Sequence, residues 1–176
     1  MLFLFKIFIM SDEKRFTVSA SIAVIPPRLL NGTVEKCINA LLKQTYPLDN
    51  IYLCVPKNGF RRWKYFNFDE WYNDANLPAC VVPIYCDLDS PLIKYYAPAM
   101  NNVDCDFLFI GDDDQEYNEN LIGSMVSGIR AIDGDSYVYQ NRYDIVKHGT
   151  AGIIHGFVGL MMSPLLLQPL LSFPIT

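Results

Sequence analysis

Three consecutive aspartates, Asp112, Asp113 and Asp114, follow the apolar run Phe107-Leu108-Phe109-Ile110 and a glycine, Gly111. Carboxylates crowded in this way repel one another, and a divalent ion that bridges to substrate phosphates is the usual relief. In extended backbone, residues two apart point the same way, so Asp112 and Asp114 can share one hard cation while Asp113 points elsewhere. The competing description is a solvated acidic turn, since Asp is common where strands end. Four or five apolar residues in a row fit a strand covered on both faces, as in a parallel sheet with helices on either side. Gly111 is expected to free the backbone to turn after that strand. Acids at the carboxyl end of such a strand face the binding crevice of an open α/β sheet.

The rest of the chain supplies the elements that a parallel sheet needs. Phe16 to Ile25 is rich in Val, Ile, Thr and Phe and stops at Pro26-Pro27, a first strand ending in a rigid loop with Arg28 just beyond. Val34, Cys37, Ile38, Leu41 and Leu42 then fall at helical spacing, with Asn31 or Thr33 as cap and Tyr46-Pro47 as the stop. Asn50 to Val55 predicts a second strand and Cys80 to Tyr85 a third, the latter followed by Asp87-Leu88-Asp89-Ser90. Ser90 and Pro91 read as cap and first position of a helix through Ile93, Tyr96, Ala97 and Met100. Lys94 in its first turn opposes the helix dipole, which calls for an anionic partner, either a ligand or Asp87 or Asp89. Glu119 to Ile132 is again apolar at helical spacing, and Ser136 to Gln140 predicts a fifth strand. Beyond Asp144 the pattern weakens: Gly149, Gly152, Gly156 and Gly159 loosen an apolar segment, and Ser163-Pro164 opens a short helix interrupted by Pro169.

This alternation of strands and helices predicts an α/β fold with a mostly parallel twisted sheet flanked by helices. With 176 residues, 51% of them hydrophobic, one domain is expected over residues 16–176, preceded by an N-terminal extension, 1–15. Met1 to Met10 is too short to span a bilayer and lacks the basic start and cleavage site of a signal peptide, so neither stable membrane insertion nor secretion is expected. Met10 could itself be a start position. The net charge of −5 argues against a general nucleic-acid or anionic-membrane binder, so an anionic substrate must be met locally by a cation or a metal. The segment Lys57 to Pro78 interleaves Arg61, Arg62 and Lys64 with Phe60, Trp63, Tyr65, Phe66, Phe68, Trp71 and Tyr72. Such a mixture can stack single-stranded nucleic acid, but Asp69, Glu70 and Asp74 favour a loop and short helix packing aromatics on the domain, with Arg61 or Arg62 near a phosphate. Five cysteines without a C-x-x-C pair and only two histidines, His148 and His155, suit a reducing compartment such as the cytoplasm and argue against structural zinc.

The order of these motifs resembles the nucleotide-sugar glycosyltransferases of the Rossmann-like GT-A fold, including small viral members that would act in the host cytoplasm. The likeness covers most of residues 16 to 163. It is carried by Ile25-Pro26-Pro27-Arg28, Gln44-Thr45-Tyr46-Pro47, Ile51-Tyr52-Leu53-Cys54-Val55-Pro56, Asp89-Ser90-Pro91-Leu92-Ile93-Lys94 and the acidic triplet. The resemblance implies a nucleotide diphosphate sugar as donor, Mn2+ or Mg2+ as metal, and a glycan or other hydroxyl as acceptor. It places Ile25, Pro26 and Arg28 beside the nucleotide base, and Asp87, Asp89 and Lys94 near the base or diphosphate. Asp112 would approach the ribose or sugar together with Asp113, and Asp114, with Asp112, would ligate the metal. It further implies a donor-binding half, 16–118, and a partial acceptor half, 119–176. An inverting member also needs a carboxylate base after a Gly-rich acceptor segment, which Gly152 to Met162 resembles. No Asp or Glu follows Asp144, so either the base is absent or His155 serves in its place.

Two other readings share these features. A haloacid-dehalogenase-type phosphohydrolase also sets Asp-x-Asp after an apolar strand, but wants a small hydroxyl residue where Glu116 stands. A non-catalytic nucleotide-sugar-binding module would keep the donor site and lack the base.

Overall fold

The computed structural model describes residues 15–132, 138–140, 145–146 and 159–172. Four strands form the parallel heart of the sheet: β1 (Val18–Ala23), β2 (Ile51–Pro56), β3 (Val81–Cys86) and β4 (Phe107–Asp112). Helices α1 (Pro26–Leu30), α2 (Thr33–Leu42), α3 (Phe68–Asp74) and α4 (Ile93–Met100) lie between them, and α5 (Leu121–Ile132) follows. Three short strands, β5 (Val138–Gln140), β6 (Ile145–Val146) and β7 (Leu160–Met162), complete the order β3-β2-β1-β4-β7-β5-β6, and a 3-10 helix runs over Pro164–Ser172.

The strands are parallel and buried because their side chains are mostly apolar on both faces, Ser19 and Ser21 of β1 being buried polar exceptions. Val18, Ala20 and Ile22 of β1 and Phe107 and Phe109 of β4 pack with Val34, Ile38 and Leu41 of α2 and Ile122, Met125 and Ile129 of α5. On the opposite face, Leu108 and Ile110 meet Ala99 of α4 and Leu167 of the 3-10 helix, while Cys54 and Ile84 meet Ile93 and Ala97. Alternation of side chains along each strand produces these two sealed layers.

The α/β class and the mostly parallel sheet stand as expected, with four differences. Pro26 and Pro27 do not make a loop: they occupy the first two positions of α1, where the missing N–H of proline costs no helix bond. At α2 the cap position is Gly32, in left-handed backbone with φ 78°, and Asn31 Oδ1 accepts from Thr33 N at 3.0 Å. Helix α4 begins at Ile93, because Ser90 Oγ accepts from Leu92 N at 3.2 Å and closes a turn ahead of the helix. The fifth strand does not extend the parallel series. Instead β7 pairs antiparallel with β4, Ile110 opposite Leu160, and β5 pairs antiparallel with β7. Gly159 makes that approach possible: its φ is +98°, and a Cβ there would drive into the Phe109 ring. The N-terminal extension lies outside the described residues except for Arg15, which donates to Pro47 O at 2.9 Å and pairs with Asp49 at 3.2 Å.

Candidate functional site

The strand order sets the place of the site. After β1 the chain moves outward to β2 and β3, then returns to lay β4 on the other side of β1, so the carboxyl ends of β1 and β4 flank the point where the winding reverses. Ligands of open α/β sheets bind at that switch point. The β1–β4 register runs from Val18 opposite Phe107 to Ala23 opposite Asp112, so both strands end flush and their following residues meet.

Arg28, from α1 beyond β1, and Asp112, Asp113 and Asp114, beyond β4, converge there. Arg28 Nη1 donates to Asp113 Oδ1, and Arg28 Nη2 lies 2.7 Å from Asp114 Oδ2. Lys94 Nζ, from the first turn of α4, pairs with Asp112 Oδ1. Its partner is therefore in the triplet, neither Asp87 nor Asp89. The three carboxylates differ in setting. The Asp113 side chain is 2% exposed, while Asp112 and Asp114 keep 28% and 35% of their surface. Burial pushes the Asp113 carboxyl up, against the hydrogen bond and charge of Arg28, which pull it down. Burial of the Arg28 guanidinium works against its charge, but its bond to Asp113 and the surrounding carboxylates hold it above its ordinary value.

The support around the triplet was invisible in the sequence. Gly111 lies inside β4, opposite Ile22, and has no left-handed backbone, so it does not serve to turn the chain. Its role is space: a Cβ at Gly111 would fall 2.9 Å from Phe109 Cε1 and 3.0 Å from Tyr117 Cζ, and closer still to the Tyr117 hydroxyl. That hydroxyl accepts from Asp112 N at 2.7 Å and donates to Asp112 O at 3.0 Å, clamping the first aspartate by its backbone. The Cys37 thiol contacts the same carbonyl at 3.5 Å and is pushed up to about 12, first by burial and then by the charge of Asp113. Gln44 and Thr45 hold the far end of the loop. Gln44 Nε2 donates to Asn118 O at 2.8 Å, its Oε1 accepts from Ile122 N at 3.0 Å in the first turn of α5, and Thr45 N donates to Glu119 O at 2.8 Å. Buried Ser21 of β1 fixes Lys94 in the same way, donating to its backbone oxygen at 2.7 Å.

Asp87 and Asp89 lie three strand spacings from β4, about 14 Å at roughly 4.8 Å each. Asp89 accepts from Arg61 N at 2.8 Å and Asp87 from Asn58 Nδ2 at 3.4 Å. The two acids border a cleft of about 270 Å³ with Pro56, Phe60, Arg61 and Lys64. Ile25 is half-buried, its carbonyl accepting from Arg28 N and Leu29 N at 3.0 and 3.1 Å, and Pro26 is buried. The structure thus gathers Arg28, Lys94 and Asp112 to Asp114 at one point, with Ile25 and Pro26 beside it and Asp87 and Asp89 at the far end of the same sheet edge. His155 lies outside the described residues.

Carboxylate oxygens suit a hard divalent ion, and Asp112 and Asp114 are the partly open carboxylates of the triplet, each paired with a cation, Lys94 and Arg28 respectively. Among the described residues no group of three or more His, Cys, Asp or Glu is arranged to hold a metal alone. An ion at the triplet would therefore take one or two carboxylates and complete its shell from phosphate and water, the habit of Mg2+ and similar ions.

Sheet order, flanking helices and switch-point crevice define the class of the fold, a Rossmann-like α/β architecture of the GT-A type. No family profile and no curated protein sequence matches the chain. Among solved structures it is similar to a mannosyltransferase from Pyrobaculum calidifontis in complex with GDP-Man and Mn2+, at 15% identity and a TM-score of 0.62, covering 93% of this chain and 49% of that one. It is similar also to the 4-diphosphocytidyl-2C-methyl-D-erythritol synthase of Anaerococcus prevotii, at 11% identity and a TM-score of 0.60 over 92% and 78% of the two chains. A third likeness is to TarS of S. aureus, at 12% identity and a TM-score of 0.52 over 89% and 50%. The chain thus spans about half the length of the mannosyltransferase, and at these identities the likeness is one of fold. Among the described residues no helix is long and apolar enough to cross a membrane.

Proposed function

We propose that the chain is a glycosyltransferase of hexosyltransferase type, moving a sugar from a nucleotide diphosphate donor to a hydroxyl of a glycan or similar acceptor. The observation that carries this reading is the convergence of Arg28, Lys94 and the aspartate triplet at the switch point between β1 and β4. An extended donor laid along this sheet edge reaches from the Asp87 and Asp89 cleft, where its base would sit, to the triplet, where its diphosphate would sit. We assign residues 16–118 to this donor half and residues 119–176 to a partial acceptor half.

Mn2+ or Mg2+ held by Asp114 and Asp112 would neutralise charge developing on the departing nucleotide diphosphate. The charge balance supports such an ion. The triplet with Lys94 and Arg28 carries one net negative charge, so a diphosphate alone is repelled and a diphosphate with a divalent cation is not. In the transfer, the acceptor oxygen bonds to the anomeric carbon, the bond from that carbon to the diphosphate oxygen breaks, and the hydroxyl proton passes to a base, for which His155 is the candidate. The protein chiefly supplies position: Tyr117 fixes Asp112, Ser21 fixes Lys94, and α1 presents Arg28.

The test is hydrolysis of UDP-, GDP- and dTDP-sugars with and without Mn2+. Metal-dependent release of nucleotide diphosphate that Asp114→Ala abolishes supports the transferase. Metal-dependent donor binding without turnover in any acceptor mixture would leave a binding module.

A further inference from the structure

The two cations at the triplet are held differently. Lys94 is 8% exposed on its side chain, and its backbone oxygen is tied to Ser21, so it is built into the fold. Arg28 keeps 36% of its side-chain surface and extends from a five-residue helix. Its guanidinium forks: one nitrogen on buried Asp113, the other on exposed Asp114. Asp113 Oδ2 is buried without a hydrogen-bond partner, so Asp113 depends on Arg28 for its neutralisation. Asp114, by contrast, is the open carboxylate proposed above as metal ligand, and Arg28 Nη2 stands on its Oδ2.

We propose that Arg28 is the resident counter-cation of Asp114 in the donor-free protein and passes from Asp114 to the donor diphosphate when the divalent ion arrives, so that metal and donor load together. This rests on the function proposed above. A metal ion arriving alone must push the guanidinium off Asp114 with no anion to receive it, while Asp113 keeps the other nitrogen because a buried unpaired carboxylate is costly. A metal ion arriving with a diphosphate supplies that anion. The planar guanidinium pivots on Asp113 and offers its second nitrogen to a phosphate oxygen, for which its fork geometry is suited. The metal and the diphosphate are then coupled through one side chain, and the coupling is reciprocal.

The experiment measures Mn2+ binding by the loss of free-ion electron paramagnetic resonance signal, alone and with UDP or GDP, in the wild type, Arg28→Lys and Arg28→Gln. Lysine keeps a charge on Asp113 but cannot fork to Asp114, and melting curves check that both variants fold. Wild-type protein is expected to bind Mn2+ weakly alone and much more tightly with a diphosphate. Arg28→Lys is expected to bind Mn2+ alone about two- to fivefold more tightly than wild type, the size of one exposed ion pair released, and to lose most of the enhancement by diphosphate. Equal Mn2+ affinity of wild type and both variants in the absence of nucleotide overturns the role of Arg28 while leaving the metal-dependent transferase standing. Failure of Mn2+ to bind any of the three, with or without diphosphate, overturns both.

Discussion

Two Asp-x-Asp segments of the chain, Asp87 to Asp89 and Asp112 to Asp114, each stand at the carboxyl end of a parallel strand, and the fold treats them in opposite ways. Asp87 and Asp89, after β3, take neutral donors, an asparagine amide and a backbone N–H, and stand beside an open cleft. Asp112, Asp113 and Asp114, after β4, take the guanidinium and ammonium of Arg28 and Lys94 at the switch point of the sheet. The difference arises from position in the sheet: β3 is the outermost strand of the parallel series, with one strand neighbour, whereas β4 is walled by β1, α4 and β7. Carboxylates on an edge keep their water, while those over the centre must be neutralised by the protein or by something it binds. The same local pattern therefore gives a polar rim at one strand and a charge-dense centre at the other.

Exchanging the roles of the two segments should break this contrast most visibly in catalysis. Asp112→Asn is expected to lower metal-dependent donor hydrolysis by about three orders of magnitude, while Asp89→Asn costs less than about tenfold, measured as kcat/KM. Comparable losses would mean that the two pairs share one role. The next largest effect concerns stability. Gly111→Ala places a methyl against Phe109 and the Tyr117 ring, and about 2–3 kcal/mol of loss is expected in chemical denaturation, against the few tenths typical of an exposed glycine substitution.

Tyr117→Phe keeps the ring against Phe109, whose centroid lies 5.1 Å away, but removes the clamp on the Asp112 backbone. A loss of about 1–2 kcal/mol and weaker metal-supported diphosphate binding are expected, because a part-buried N–H is left without its acceptor. A last effect, confined to alkaline pH and absent at neutrality, is in the thiols. Cys37, under the triplet, and Cys54, in β2 with its sulfur beside the Ser21 hydroxyl, ordinarily ionise near 9 but are held at about 12, chiefly by burial. Between those values the folded state keeps protons that the unfolded state loses, so stability falls as pH rises from 9 toward 12. The slope is at most about 1.4 kcal/mol per pH unit for each thiol and flattens in Cys37→Ala. Equal slopes in wild type and Cys37→Ala would contradict the burial assigned to Cys37.

What was legible in the sequence was what local pattern controls. The four parallel strands lie within a residue or two of their expected bounds because each is an apolar run closed by proline, glycine or acid. The triplet and its place at a strand end were equally plain. Partners were not. Arg28 and Asp113 are 85 residues apart and Lys94 and Asp112 18 apart, and nothing in a local window links them. A glycine before three acids suggests backbone freedom, but the reason for Gly111 lies in Tyr117, six residues on, folding back over β4. Strand β7 is three apolar residues after a glycine, too short for alternation to reveal, and exists because β4 offers it an open edge. Helix α1 is hidden in the sequence because two prolines signal a loop and a helix start alike.

On the proposed function, the crevice over β1 and β4 receives a nucleotide diphosphate only in company with a divalent ion. Titration calorimetry of UDP, GDP, dTDP and CDP into the protein tests it directly, with Mn2+ and again after chelation. At least one diphosphate is expected to bind with Mn2+, to lose at least about thirtyfold in affinity on chelation, and to show no metal enhancement in Asp114→Asn. A diphosphate that binds equally well in the chelated protein, or whose binding ignores the Asp114 substitution, would contradict it.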